Sequence, residues 1–242
     1  MTIDHLAAIE RDSNRLADIA ATGDPSAPIA GCPGWTLHGL VEHMGSVQRW
    51  ARQAILTAAP PKIDPADDPA PSDAAGIAQW LRDGAERLLT TLRDTDPAAS
   101  TWHPFPVEPK VAGLWRRRQS QEVFVHRIDG ELAVGVAPHI DAELAADGVD
   151  EYWTVMLPRM LTREQRTTPS SVLQVKVGDR VWTVDGSSGL PVPAPQAAPA
   201  ATISGSATDM LLRLWGRPVT DGAVQIEGDA QVAADWLALG GS

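Results

Sequence analysis

The 242-residue sequence predicts two domains, an N-terminal bundle of four helices followed by a smaller α+β domain. Three observations carry this expectation. Apolar residues recur at helical spacing from residue 6 to the 130s. Strand-like alternation begins only at Val-Leu-Gln-Val-Lys-Val, residues 172–177. The same C-terminal part then mixes short strands with short helices. The helical domain is expected over residues 1–160 and the α+β domain over residues 168–242.

The first helix carries Leu6, Ile9, Ser13, Leu16 and Ile19 or Ala20 on one stripe, with Asp4 or Thr2 as its cap. Residues 23–35 form a loop. Thr36 then caps a second helix bearing Leu37, Leu40, Val41, Met44, Val47, Ala51 and Ile55. His43 shares a face with Leu40, Val47 and Trp50. Residues 58–71 are rich in Pro, Ala and Asp and read as an exposed connection. Ser72 or Asp73 caps a third helix with Ile77, Leu81, Leu88 and Leu92 on its stripe.

The segment 94–109 is again broken by proline, and a fourth helix follows over about 113–135. This helix is unusual. Trp115, Gln119, Glu122, His126 and Asp129 form a polar stripe at helical spacing, beside a stripe of Leu114, Val125, Ile128 and Leu132 that supplies the expected core contact. Inward polar groups need partners, because an unpaired one costs roughly 1–3 kcal/mol when buried.

Beyond the bundle a helix is expected around 140–161, with Leu144, Val149, Trp153, Met156 and Leu157. The runs 172–177 and 180–184 make a hairpin about Gly178 and Asp179. Residues 186–201 are a Pro/Ala/Gly-rich connection. A strand at 201–203, a helix at 206–215, a strand at 223–227 and a helix at 229–239 complete the chain.

Composition narrows the function. A formal charge of −11 would repel phosphate backbones, which argues against nucleic-acid binding. No stretch has the length of a membrane span, and the N-terminal residues lack the pattern of a signal peptide, so a cytoplasmic protein without membrane partners is expected. The single cysteine, Cys32, rules out an intrachain disulfide and reads as a small packed side chain. There is no internal repeat, P-loop or dinucleotide fingerprint.

Glu122 and His126 are four residues apart, so a helix stacks them on one face. With His43 on a facing helix they would form an open His/His/Glu metal site. Spacing alone does not separate this from a surface pair. Arg116, Arg117 and Arg118 read as a solvated helix start, and His5, His38, His103 and His139 as exposed residues near segment ends. Trp115 and Trp215 are candidates for lining a pocket.

Three runs decide between the readings: Cys-Pro-Gly-Trp-Thr-Leu-His-Gly-Leu-Val-Glu-His-Met at 32–44, Arg-Gln-Ser-Gln-Glu-Val-Phe-Val-His-Arg-Ile-Asp-Gly-Glu-Leu-Ala at 118–133, and Ala-Ala-Asp-Gly-Val-Asp-Glu at 145–151. Together they resemble the mycothiol-dependent maleylpyruvate isomerase family, over essentially the whole chain. The resemblance implies a DinB-like four-helix bundle and a sterol-carrier-like C-terminal domain. It implies His43, Glu122 and His126 as ligands of a divalent metal, with zinc expected, and mycothiol as cofactor. The run Leu-Trp-Gly-Arg at 214–217 implies that Arg217 reaches toward the substrate's carboxylates. Gln121 departs from the histidine common in relatives just before the ligand Glu, which bears on the surroundings of the metal rather than on its ligands.

The implied reaction is addition of the mycothiol thiolate to an unsaturated acid, rotation about the resulting single bond, and elimination to the trans isomer. Two other readings share the sequence: a mycothiol S-transferase that conjugates electrophiles, and a non-catalytic binding protein whose metal is structural. A metal-dependent hydrolase ranks below these, since no general base is evident beside the ligands. A small-molecule thiol and an unsaturated acid are the expected partners, and a monomer the expected state.

Overall fold

The computed structural model describes residues 3–240 and divides into two compact units, Met1–His103 with Glu108–His139, and Pro104–Val107 with Ile140–Ser242. The change of periodicity had suggested a division near 160. Packing instead groups the helical stretch after Ile140 with the second unit.

The first unit contains α1 (His5–Thr22), α2 (Leu37–Thr57), α3 (Ala74–Asp94) and α4 (Gly113–Ala133). α1 and α2 each pack against both α3 and α4, so the four surround one core. Leu16, Leu37, Leu40, Met44, Leu81 and Val123 meet there. Side chains fix where the helices begin. Asp4 accepts from the Ala7 amide at 3.0 Å, Thr36 from Gly39 at 3.2 Å, and Asp73 rather than Ser72 from Gly76 at 2.8 Å. The alternative first cap, Thr2, lies outside the described residues. Gly45 lets α2 approach α3 closely, because a Cβ there would collide with the Trp80 ring.

The apolar stripe expected on α4 is displaced. Val125 and Ile128 are buried, but Leu114 is half-buried and Leu132 is 47% exposed, while Val123 and Phe124 take the core positions. The helix is buried almost all round, and α1 supplies polar partners on one side. Arg127 donates through Nη1 to Glu131 at 2.6 Å and lies 3.4 Å from Asp12, while Arg15 Nε reaches Glu131 at 2.7 Å. These pairs let charged groups occupy the bundle interior, where an uncompensated charge would be strongly destabilising.

In the second unit, the helix expected at 140–161 is three joined segments: α5 (Ala142–Glu151), a π-helical turn (Tyr152–Met156) and α6 (Leu157–Glu164). Pro158 has no N–H to return to the preceding turn, and the widened turn lies immediately before it. A five-stranded sheet follows, built from β1 (Val172–Val177), β2 (Arg180–Asp185), β3 (Val192–Pro193), β4 (Ala201–Gly205) and β5 (Val224–Gly228). Its order is β3-β2-β1-β4-β5, with β1 and β4 parallel and the other neighbours antiparallel.

The hairpin forms as expected, Val177 facing Arg180 across Gly178, whose φ is 55°. β3 lies within the stretch read as a connection, and Pro193 is tolerated because it sits in an edge strand. Leu173, Val175 and Val177 alternate into the core. α7 (Ala207–Leu214) packs on α5 and β4, and α8 (Ala230–Leu237) on β1, β4 and β5. No helix among the described residues is long and apolar enough to cross a membrane.

Candidate metal centre

The site is built where α2 faces α4. His43 is on α2 and Glu122 and His126 are on successive turns of α4, as the spacing predicts. The structure brings all three together. His43 Nε2 lies 3.2 Å from Glu122 Oε1, and His126 Nε2 lies 3.7 Å from the same oxygen. One donor atom from each residue falls within 4.8 Å of the other two. An ion bound at about 2.0–2.2 Å from each of three nitrogen or oxygen ligands needs this convergence, and two imidazoles with a carboxylate form a donor set suited to zinc. The residues present therefore fit a divalent metal.

The surroundings hold each ligand in place. Arg118 donates through Nη2 to Glu122 Oε2 at 2.7 Å, leaving Oε1 toward the histidines. Burial pushes the Glu122 carboxyl upward, but the Arg118 charge and the hydrogen bonds of His126 and His43 outweigh it and hold the group well below the usual carboxylate range. For His126, burial disfavours the charged ring. Its hydrogen bonds with Asp129 and Glu122, and their charges, overcome this and raise it above the ordinary histidine value. His126 Nδ1 is 3.0 Å from Asp129 Oδ2, an orienting contact of the kind that metal-ligating histidines make with carboxylates.

Two further residues close the site, and both come from the loop before α2. In the Cys-Pro-Gly-Trp turn, the Trp35 amide donates to the Cys32 carbonyl at 3.0 Å, and Gly34 takes a φ of 86° that a side chain would resist. That turn presents Trp35 to both histidines, its ring centroid 4.8 Å from that of His43 and 6.1 Å from that of His126. It also buries Cys32 with Sγ 4.0 Å from Asp129 Oδ2. Cys32, His126 and Asp129 thus make a second, fully buried convergent group that shares His126 with the first.

Several expectations need correction. Arg118 is buried and bonded to Glu122, and Arg116 donates to the carbonyls of Leu92 and Thr95, so the arginine run is not a solvated helix start. His103 is 1% exposed, with its ring against Trp115, while His5 is half-buried and bonded to Ser120 at 2.7 Å. His38 is half-buried, and only His139 of the four is exposed. Trp115 is buried against Trp50. Gln121 is fully buried and belongs to neither convergent group.

Arg217 lies in the second unit just after α7. It is buried, and its Nη1 donates to the Trp215 carbonyl at 2.8 Å. Sequence reasoning misread Arg118 as solvated, passed over Trp35 and gave Asp129 no role beyond the polar stripe. The signals were present as an Arg four residues before Glu122, an Asp three residues after His126, and a Trp beside a Pro-Gly turn.

A family model described as "Mycothiol maleylpyruvate isomerase N-terminal domain" matches residues 6–130, and one described as "MDMPI C-terminal domain" matches residues 143–235. A crystal structure of a mycothiol-dependent maleylpyruvate isomerase is 16% identical, with 93% of each chain covered and a TM-score of 0.58. The structure of a histidine-to-alanine mutant of a mycothiol-dependent maleylpyruvate isomerase is 15% identical, with the same coverage and TM-score. A sterol carrier protein 2-like protein from Aedes aegypti is 21% identical, covering 40% of this chain and 98% of its own, with a TM-score of 0.28. No curated protein matches. The chain belongs to the mycothiol maleylpyruvate isomerase family.

Proposed function

We propose that this chain is a metal- and mycothiol-dependent enzyme that isomerises an unsaturated acid of the maleylpyruvate type. The observation that carries the reading is the convergence of His43, Glu122 and His126 inside the bundle of a chain of this family. These three residues hold the metal, and zinc suits them best. A free thiol of pKa about 8.5 is only about 3% ionised at pH 7, so a bound metal supplies up to about 30-fold more thiolate, and mycothiol supplies the thiol that adds reversibly to the conjugated double bond.

The chain's own residues do the rest. Arg118 keeps Glu122 ionised and turned toward the histidines. Asp129 holds Nδ1 of His126, which directs Nε2 toward Glu122 and His43. Trp35 packs beside both imidazole rings and limits their reorientation. Arg217 holds a substrate carboxylate, a task for which the planar guanidinium fork is suited and which rests on the family resemblance. The protein is proposed to act in the cytoplasm as a monomer.

The test is incubation of the zinc-loaded chain with maleylpyruvate and a tenth as much mycothiol, followed by proton magnetic resonance. Full conversion to the trans acid with the thiol intact supports the proposal. Loss of thiol in step with substrate makes the chain an S-transferase. Conversion that does not depend on mycothiol overturns both.

A further inference from the structure

An open cleft of about 600 Å³ lies in the first unit between α2, α3 and the segment 58–70, and it has no part in the metal centre. Its size falls within the range of small-molecule sites. It begins one turn along α2 from the metal centre: Val47 lines it four residues after His43, a rise of about 6 Å, and Glu42 and Ser46 line it beside that turn. The segment that closes it is the stretch read from the sequence as an exposed connection.

The cleft is organised rather than incidental. Asp68 accepts from Arg49 Nε at 2.7 Å and from Trp80 Nε1 at 3.0 Å, which pins the connecting segment onto both helices. Arg49 also donates to the Gly45 and Trp80 carbonyls and lies 3.7 Å over the Trp80 ring, so its donors are committed to the wall. Arg52 differs: its Nε is buried without a hydrogen-bond partner among the described residues. Trp50, half-buried and held edge-on by Trp102 and Trp115, supplies an aromatic surface.

Four basic and four acidic side chains line the cleft, so it carries no net formal charge. A strongly anionic ligand would meet the carboxylates and a cationic one the arginines. Donors and acceptors interspersed around an aromatic surface suit a neutral group rich in hydroxyls, which both gives and accepts hydrogen bonds and has an apolar face for the ring.

We propose that this cleft binds the neutral, polyhydroxylated carrier of the thiol whose sulfur goes to the metal centre. The proposal rests on the functional reading above for the identity of the thiol. Ser46 and Gln53 face the carrier along α2, and Arg52 is its principal donor. The short distance to His43 lets one molecule occupy both places at once, and linkage of this kind raises the effective concentration of the second group. Selection of mycothiol over small thiols then arises in the cleft, not at the metal.

Calorimetry on the full metal-loaded chain tests this with three ligands: mycothiol, S-methylmycothiol, whose sulfur cannot ionise, and N-acetylcysteine, which has no hydroxylated carrier. S-methylmycothiol is expected to bind wild type and to bind at least tenfold more weakly to Arg52→Ala and to Ser46→Trp, which fills the cleft from an exposed helix position. N-acetylcysteine affinity and metal content are expected to be unchanged in both variants. No binding of S-methylmycothiol to wild type, its undiminished binding to Ser46→Trp, or equal affinities of wild type for mycothiol and N-acetylcysteine overturns the proposal. Failure of the functional reading is seen separately, as a cobalt-substituted centre whose spectrum no thiol alters.

Discussion

Nδ1 of His126 lies 3.0 Å from Oδ2 of Asp129, one turn further along α4. The two nitrogens of one imidazole therefore face different carboxylates, Asp129 on one side and Glu122 on the other. Orientation of the ring by Asp129 leaves Nε2 as the ligand atom. Asp129→Asn is expected to lower metal affinity about 10- to 100-fold while leaving the helical signal intact. Competition with a chelator of known affinity measures this, and an unchanged affinity would remove the orienting role.

Arg118 and Glu122 form a pair whose arginine is almost wholly enclosed. Breaking a buried pair by deleting one partner costs about 3–5 kcal/mol, and the partial exposure of Glu122 places this one at the lower end. Arg118→Met is expected to destabilise the metal-free chain by about 3 kcal/mol in urea unfolding. Added zinc should recover part of the loss, because the ion then compensates the carboxylate. A loss below about 0.5 kcal/mol, the size expected at an ordinary surface position, would contradict the pairing.

The pH response of the metal-free chain has a definite sign. His126 is raised on folding, so its contribution is complete below the ordinary histidine value near 6.5 and is lost as pH rises through the folded value. Glu122 is lowered, so its contribution is present above the ordinary carboxyl value and is lost as pH falls toward the folded one. The metal competes with the His126 proton. The zinc-induced rise in melting temperature is therefore expected to grow between about pH 6 and pH 8, while the metal-free melting temperature gains nothing from this group over that interval. Melting curves with and without zinc check it, and a zinc effect that shrinks over the interval is the contrary result.

A Cβ at Gly45 of α2 would collide with the Trp80 ring of α3. Gly45→Ala is expected to cost about 1–3 kcal/mol through displacement of Trp80, despite the higher helix propensity of alanine. Guanidinium unfolding reads this directly, and a stabilised variant would show that the contact relaxes freely.

Much of this was legible locally. The stripes through Leu16, Leu40 and Leu81 gave helices because burial of one face repeats with the helical period, and Asp4, Thr36 and Asp73 marked their starts through hydrogen bonds spanning three residues. Helix geometry put Glu122 and His126 on one face, while their reading as metal ligands together with His43 came from the family resemblance. What stayed hidden depends on partners distant in sequence. Nothing near Arg127 announces Asp12, which reaches it from α1, and nothing near Asp68 announces Arg49 and Trp80, which turn an apparently exposed connection into the wall of a cleft. The displaced core stripe of α4 has the same origin: with polar partners on two sides, its burial follows no single period. β3 is two residues long and carries no alternation to detect.

The most direct measurement is metal content per chain by mass spectrometry, on wild type and His126→Ala, followed by the visible spectrum of the cobalt-substituted protein with and without mycothiol. The expected result is about one divalent ion per wild-type chain, lost in His126→Ala, with a cobalt spectrum shifted by the thiol. A chain that binds no metal after loading with zinc, or that keeps its metal in His126→Ala, would contradict the assignment of this site and the thiol chemistry built on it.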